Sequence, residues 1–196
     1  MKSLKEQAVI PSLASQVVIP ENGINPATPE QSSGRYKVLI LNPDDGTMVE
    51  VEEWKKDPNP QRAEAVVILC LQTQEALVVS KSMSKKEFPF KEAQEQAAAF
   101  RPKGLEGVAF RCPTRAEVLT IFDADDYGFD DAVCLIAGRN DWYHRWGWTC
   151  EKVSRWWAQR YNAYIAWIFN GTTRDLYSYY VYGTFQVGAV TLLKFK

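Results

Sequence analysis

Hydrophobic and polar positions follow different patterns in different parts of this chain. Residues 1–34 hold two short apolar pieces, residues 8–10 and 17–19, among prolines and small polar residues. This pattern predicts either an extended arm, in which an apolar piece adds a strand to a neighbour, or a tail without regular structure. Both interpretations leave residues 1–34 outside the core.

Residues 35–60 have the pattern of a β-hairpin followed by a linker. Residues 36–41 are β-rich, and the proline, aspartates and glycine that follow have the chemistry of a turn. Residues 47–54 alternate and predict the second strand. Two prolines predict a linker over residues 55–60.

The compact part of the chain is predicted to begin near Ala63 and to form one domain over residues 61–196. Residues 65–71 are a continuous apolar run, which is typical of a strand buried on both faces, and residues 76–80 predict its partner strand. Residues 90–100 place apolar side chains at helical spacing and predict the first helix of this domain.

Two more helices are predicted after residue 113. Thr114 and Glu117 fit a capping box, in which the two residues exchange side-chain and backbone hydrogen bonds at the start of a helix. The apolar side of this helix is predicted to consist of Val118, Leu119, Ile121 and Phe122. Residues 129–137 predict a short helix that Gly138 ends.

The last quarter of the chain has the pattern of strands. These are predicted over residues 148–151, 164–169, 176–182 and 185–193. Asn170-Gly171 is the strongest hairpin signal in the chain. Strands followed by helices and again by strands predict an α+β fold.

Composition and charge exclude several functions. The chain has 196 residues with a formal net charge of −1, so no basic excess is present to bind nucleic acid. No apolar run approaches the ~18 residues of a membrane helix, and the N-terminus lacks the apolar stretch of a secretory signal. We therefore expect neither membrane insertion nor a nucleic-acid partner.

Few residues are candidates for catalysis or metal binding. The four cysteines include no C-x-x-C pair, and we expect free, partly buried thiols. His144, the one histidine, has no recognisable nucleophile motif beside it. The aspartates between residues 123 and 131 do not match a calcium loop, and helix-end solvation explains them better. No cofactor or metal is expected.

Aromatic residues are concentrated near the C-terminus. Residues 142–182 hold six of the seven tryptophans and seven of the nine tyrosines. Trp148 and Trp167 are the predicted core tryptophans. Four tyrosines lie at positions 177, 179, 180 and 182. In a strand the first two face one way and the last two the other, so some of these rings are expected to be exposed and to form a recognition surface.

Several short blocks carry a family resemblance over residues 63–196. They are residues 111–117, 147–151, 166–171 and 186–190. With these blocks the chain resembles the C-type-lectin-fold domains at the ends of bacterial collagen-like proteins. It is still more similar to the variable proteins of diversity-generating retroelements, which include phage tail receptor binders.

The resemblance implies a C-type-lectin-like scaffold whose last strands and loops carry variable residues, with Trp167, Phe169 and Gly171 as framework. Mutagenesis at template adenines in that system yields the residue types found at many of these positions. The residues expected to bind the ligand are Arg155, Trp156, Tyr164, Ile165, Thr172, Thr173, Asp175, Tyr177, Ser178, Tyr179, Tyr180 and Tyr182.

The function that the resemblance implies is binding without catalysis. The expected partner is a protein or glycan receptor on a host cell. The arm is expected to attach the domain to a larger assembly, such as a phage tail or a homo-oligomer, which places a phage-encoded chain in the virion. One alternative is a bacterial adhesin, made in the cytoplasm and displayed on the cell surface. Another is an enzyme like the formylglycine-generating enzymes, with Cys112 and Cys150 as the cysteine pair.

Overall fold

The computed structural model describes residues 35–153 and 164–194, and all structural statements below concern these residues. The arm over residues 1–34 lies outside the described residues. Arg155 and Trp156 of the expected binding site also lie outside them, so their placement stays a prediction.

Strands and helices are mixed along the described part of the chain. The strands are β1 (Tyr36–Leu41), β2 (Met48–Glu50), β3 (Ala65–Cys70), β4 (Glu75–Ser80), β5 (Trp146–Lys152), β6 (Ile165–Asn170), β7 (Asp175–Tyr180) and β8 (Val190–Lys194). The α-helices are α1 (Val51–Trp54), α2 (Phe90–Ala99), α3 (Arg115–Asp123) and α4 (Phe129–Ala137). Short 3₁₀ turns lie at Pro60–Arg62, Ala124–Tyr127 and Asp141–Tyr143.

The strands form two antiparallel sheets. The larger sheet has the order β2-β1-β3-β4-β8, and the smaller sheet has the order β5-β6-β7. Antiparallel sheets combined with few helices agree with the α+β class expected from the sequence. None of the helices in the described residues is both long and apolar enough to cross a membrane.

The five-stranded sheet is covered on both faces. Val66 and Ile68 of β3 pack in a core with residues of α3 and α4. Ala65 and Val67, which point the opposite way, pack in a second core with α2 and with Trp148 of the smaller sheet. The prediction of a β3 strand buried on both faces is therefore confirmed.

The prediction that the compact part begins near Ala63 is wrong. β1 pairs with β3 along its length, from Tyr36 opposite Cys70 to Ile40 opposite Val66. Ile40 lies in one core and Leu41 in the other. Because successive side chains of a strand point to opposite faces, the apolar run of β1 contributes to both cores.

The second strand of the hairpin is shorter than predicted. β2 ends at Glu50, and residues 51–54 form α1 instead of continuing the strand. Trp54 ends this helix as a buried residue, and its indole N–H donates to the carbonyl of Pro60 at 3.0 Å. Burial of the Trp54 ring stabilises the helical turn, and Glu52 and Glu53 are favourable in its first turn. Together these effects favour the helix over the strand that the alternating pattern predicts.

The predicted helices are present, with one error in the apolar side of α3. The capping box of Thr114 and Glu117 is formed as expected, and Gly138 ends α4 in a left-handed conformation. Leu119, however, is 47% exposed. The buried residues Val118, Ile121 and Phe122 are spaced as one helical face, and position 119 lies outside that face.

The last predicted strand is only partly correct. Residues 190–194 form β8, but within residues 185–189 only Phe185 and Gln186 form isolated bridges, and residues 187–189 are not part of a strand. Phe185 pairs with Phe88, and Gln186 pairs with Gly147 of the smaller sheet. Because β8 belongs to the larger sheet, the chain changes sheets between residues 186 and 190, and a single continuous strand is not possible.

Candidate functional site

The hairpin of β6 and β7 holds most of the expected binding residues. Its strands pair from Ile165 opposite Tyr180 to Asn170 opposite Asp175, with four residues in the turn. The side-chain oxygen of Asn170 accepts from the backbone N–H of Thr172 at 2.9 Å. The hairpin predicted from Asn170-Gly171 is thus confirmed, although a longer turn replaces the two-residue one.

Contacts with neighbouring segments of the chain hold this turn in place. Gly171 donates its backbone N–H to the carbonyl of Arg145 at 2.8 Å. Arg174 has a positive φ of 58°, and its guanidinium donates to Asp125 at 2.5 Å. The same guanidinium lies 4.8 Å from the ring centroid of Tyr143. The turn end of the hairpin is therefore anchored to the 3₁₀ turns that contain Asp125 and Tyr143.

One face of the smaller sheet ends in a cluster of aromatic side chains. The register places Tyr177 opposite Ile168 and Tyr179 opposite Ala166. Ile168 and Ala166 are buried, whereas Tyr177 and Tyr179 are 39% and 48% exposed. The face therefore changes from core to surface between β6 and β7.

Trp146 and Phe185 complete this cluster. The ring of Trp146 lies 5.2 Å from that of Tyr177, and the ring of Phe185 lies 5.2 Å from that of Tyr179. We call Trp146, Tyr177, Tyr179 and Phe185 the aromatic face. The expected site did not include Trp146. Its alternation with Trp148 across Gly147 is the signal that could have found it, because Trp146 then shares a sheet face with Tyr177.

The other exposed tyrosines lie at the opposite end of the hairpin. Tyr164, Tyr180 and Tyr182 are 67%, 56% and 75% exposed. Val181 donates its N–H to the carbonyl of Tyr164 at 3.0 Å, so the segments that carry these rings are paired. Among the described residues, Tyr164 and Tyr182 line a cleft of about 480 Å³ with Phe90 and other residues.

The remaining expected residues are spread along the same hairpin. Thr172, Thr173 and Asp175 are exposed at its turn end. Ser178 is exposed on the same side of β7 as Tyr180, and Ile165 is half-buried at the start of β6. The structure thus brings the described candidates onto one hairpin, although not into one pocket. Their role in binding stays a prediction.

The predicted core tryptophans have different environments. Trp148 is fully buried, as expected. Trp167 is only half-buried, and the guanidinium of Arg115 lies 4.6 Å from the centroid of its ring. Trp142 is fully buried instead, and its indole N–H donates to the carbonyl of Ser80 at 2.9 Å. Trp167 lies on the sheet face that Arg115 covers, which is why it is not part of the core.

None of the four cysteines forms a disulfide, as expected, although Cys134 is exposed where partly buried thiols were predicted. Burial raises the pKa of the Cys112 thiol to about 12, and burial also raises the pKa of Cys150. Both thiols are therefore protonated at neutral pH, whereas a nucleophile or metal ligand must be a thiolate. Neither cysteine lines the cleft beside Tyr164.

Two of the aspartates considered for calcium binding form ion pairs. Asp125 pairs with Arg174, and Asp123 lies 3.8 Å from Arg35. His144 is exposed at the end of a 3₁₀ turn. Within residues 35–153 and 164–194, no group of three or more histidine, cysteine, aspartate or glutamate side chains could hold a metal ion.

No family model matches this chain, and no curated protein is similar enough to match it.

Proposed function

We propose that this protein binds a ligand or receptor through an aromatic-rich surface carried on a C-type-lectin-like scaffold. One observation supports this most strongly: Tyr177, Tyr179, Tyr180 and Tyr182 follow each other along one hairpin and are 39–75% exposed. Each tyrosine combines a large apolar ring with a polar hydroxyl, which suits contact with another molecule. Large contiguous patches of exposed apolar surface are uncommon in soluble proteins and often mark interaction sites.

Rigid anchoring of the hairpin supports a binding role. The turn end is tied down by Arg174 and Asp125, and at the other end Phe90 of α2 donates its N–H to the carbonyl of Val181 at 3.1 Å. The backbone that carries the rings is therefore held in place at both ends of the hairpin. A surface ordered in advance loses less conformational entropy on binding.

The separation of exposed and buried positions supports a scaffold with variable residues. Ile168, Phe169 and Gly171 are buried, whereas the tyrosines of β7 are exposed. Side chains at the exposed positions can change without altering the core. This is the property required of a variable protein of a diversity-generating retroelement, and host-receptor recognition by a phage tail is the role that we propose.

The proposed partner is a protein or glycan receptor on a host cell. We propose that the N-terminal arm attaches the chain to a larger assembly and that the chain forms a homo-oligomer there. If the chain is phage-encoded, this assembly is the virion tail. A bacterial adhesin displayed on the cell surface uses the same binding surface and is the alternative. A near-copy of the segment that encodes residues 155–190, differing at adenines and lying beside a reverse transcriptase gene, distinguishes the two.

The binding proposal can be tested with intact cells. We expect replacement of Tyr177, Tyr179, Tyr180 and Tyr182 by serine to abolish binding of the labelled full-length chain to a panel of Gram-negative and Gram-positive bacteria, measured by flow cytometry. Tyr127→Ser is the matched control, because Tyr127 is 38% exposed but lies outside the hairpin. Protease or periodate treatment of the cells distinguishes a protein receptor from a glycan.

Stability measurements make the result decisive. The fourfold variant should keep its melting temperature within a few degrees, because the removed rings lie at the surface, with 39–75% of each residue exposed, and outside both cores. A large fall in melting temperature would show that the rings belong to the core. Unchanged binding by the fourfold variant would contradict the proposed function.

A further inference from the structure

The outer edge of β7 is open in the described part of the chain. β7 is six residues long and lies at the end of the order β5-β6-β7, with β6 as its neighbour. The other sheet ends differ. β2 has three residues, and the start of β8 is covered by Arg111, whose N–H donates to the carbonyl of Val190 at 3.0 Å. β5, the other end of the smaller sheet, is covered by Gln186, whose N–H donates to the carbonyl of Trp146 at 3.1 Å, and by Pro113, whose carbonyl accepts from Cys150 at 2.8 Å. Among the described residues, β7 is therefore the longest edge strand without such a cover.

The hydrogen-bond pattern identifies the backbone groups on this edge. Val181 donates its N–H to the carbonyl of Tyr164, so residue 181 bonds towards β6. In an antiparallel pair every second residue bonds to the neighbouring strand and the residues between point away from it. Leu176, Ser178 and Tyr180 are the residues that point away, and the carbonyl of Tyr180 accepts from Gly183 at 2.9 Å.

Five backbone groups remain on the edge: the N–H and carbonyl of Leu176 and of Ser178, and the N–H of Tyr180. Residues two positions apart in a strand are separated by about 6.4–6.8 Å. Another extended polypeptide presents its own donors and acceptors at this spacing. A glycan has no such regular backbone, so the edge fits a peptide better.

The residues of β7 do little to prevent pairing. Exposed edges are usually protected by lysine, proline, a β-bulge or a short strand. Asp175–Tyr180 contains no lysine or proline, and the register from β6 to β7 is regular. The irregularity in this sheet lies between β5 and β6. Asp175, at the start of β7, is its one charged residue.

We propose that the outer edge of β7 binds an extended segment of a partner protein as an added strand. This inference rests on the proposed function and names the receptor class as protein. Side chains of the added strand would lie beside Tyr177 and Tyr179 on one face and beside Tyr180 on the other. The backbone bonds do not depend on side-chain identity. They therefore supply a constant part of the affinity while the tyrosines supply specificity.

A pair of variants at one position tests the backbone bond. The probe is the tightest peptide selected from a displayed library of random linear peptides on the full-length chain. Ser178→Pro removes the outward N–H but no bond to β6, a position at which edge strands accept proline. We expect Ser178→Pro to weaken binding of the labelled peptide at least about tenfold, measured by fluorescence anisotropy. Ser178→Ala keeps the N–H and loses only the hydroxyl, so it should weaken binding clearly less than Ser178→Pro does.

Hydrogen exchange on the wild-type chain gives a test that needs no variant. We expect the amides of Leu176, Ser178 and Tyr180 to exchange rapidly in the free chain and to slow at least about tenfold with saturating peptide. The amides of Tyr177 and Tyr179 already bond to β6 and should change little. Protection of the three outward amides in the free chain would overturn the proposal.

The remaining outcomes of these experiments distinguish failure of the added-strand proposal from failure of the proposed function. If Ser178→Pro folds and binds the peptide as the wild type does, the proposal that the partner adds a strand to β7 is wrong. The proposed function stands in that case provided that the fourfold tyrosine variant still fails to bind cells. If the library yields no binding peptide, or if the wild type is a dimer that Ser178→Pro converts to a monomer, the partner segment is wrong. If the fourfold tyrosine variant binds cells normally, the proposed function itself fails.

Discussion

At the scale of single residues, Trp142 controls how closely two loops pack against the core. A Cβ atom built at Gly171 would collide with the backbone carbonyl of Trp142, and one built at Gly188 would collide with its indole ring. The ring of Trp142 also stacks on Phe169, with 5.8 Å between centroids. Glycine is thus required at both positions by close approach, which joins the β6–β7 turn to the interior.

The first prediction concerns Gly171. We expect Gly171→Ala to lower the free energy of unfolding by about 2–3 kcal/mol, because a fixed backbone carbonyl occupies the space of the added methyl group. Urea denaturation followed by tryptophan fluorescence measures this. Gly107→Ala is the control, since no atom lies within 4 Å of a Cβ built there. Equal stability of the two variants would show that the turn moves freely away from Trp142.

At the scale of elements, the start of α3 depends on one carboxylate. Glu117 accepts from the backbone N–H of Thr114 at 2.7 Å and from two guanidinium nitrogens of Arg111, both at 2.7 Å. Burial by itself raises the pKa of Glu117, but the hydrogen bonds from Arg111 and Thr114 outweigh it, and the pKa is lowered overall. The helix start is thus joined to the segment that covers β8.

The second prediction follows from the sign of this shift. A carboxyl group with a lower pKa in the folded state stabilises the protein above its ordinary pKa of 4.5, and this contribution is lost as the pH falls further. We expect Glu117→Gln to cost about 1–2 kcal/mol at pH 7. The difference from wild type should shrink below pH 4.5. Urea denaturation across this pH range measures it.

A control in α2 separates this effect from general charge removal. Glu92 is exposed in the first turn of α2, so Glu92→Gln should change the free energy of unfolding little, both at pH 7 and below pH 4.5. A penalty for Glu117→Gln that stays constant down to pH 3 would contradict the assigned role of the ionised carboxylate.

At the scale of the whole molecule, β1 joins parts of the chain that the sequence pattern separates. Its pairing with β3 places Ile40 and Leu41 in the two opposite cores. The core around Ile40 also contains Trp142 and Phe169 of β6, which is part of the β6–β7 hairpin. The N-terminal hairpin is therefore needed for the packing that supports the candidate site.

The third prediction tests this dependence. We expect Ile40→Ala to lower the free energy of unfolding by about 2–5 kcal/mol and to shift the tryptophan transition as one cooperative step. Lys37→Ala, at an exposed position of the same strand, should change it by less than about 0.5 kcal/mol. If the hairpin folds independently, tryptophan fluorescence will show an unshifted transition for Ile40→Ala.

Local signals predicted most elements and part of the site. The capping box at Thr114, the glycine that ends α4 and the β6–β7 hairpin all depend on residues close together in sequence, and all are present. Alternation along a strand also predicted that some of the four C-terminal tyrosines are exposed, and in the structure all four are. Contacts outside the segment that carries the local pattern explain the errors: Trp54 is covered by Pro60 and Arg62, beyond the end of α1, and Trp167 by the distant Arg115.

Taken alone, the amino-acid order determined where most of the strands and helices form and that some C-terminal rings are exposed, because propensity, turn chemistry and side-chain alternation act over a few residues. Only the tertiary structure decided that β1 pairs with β3 in the larger sheet, that Trp142 is fully buried, and that β7 is an edge strand. Those outcomes depend on which distant backbone groups pair and which side chains fill the same volume. No local pattern contains that information.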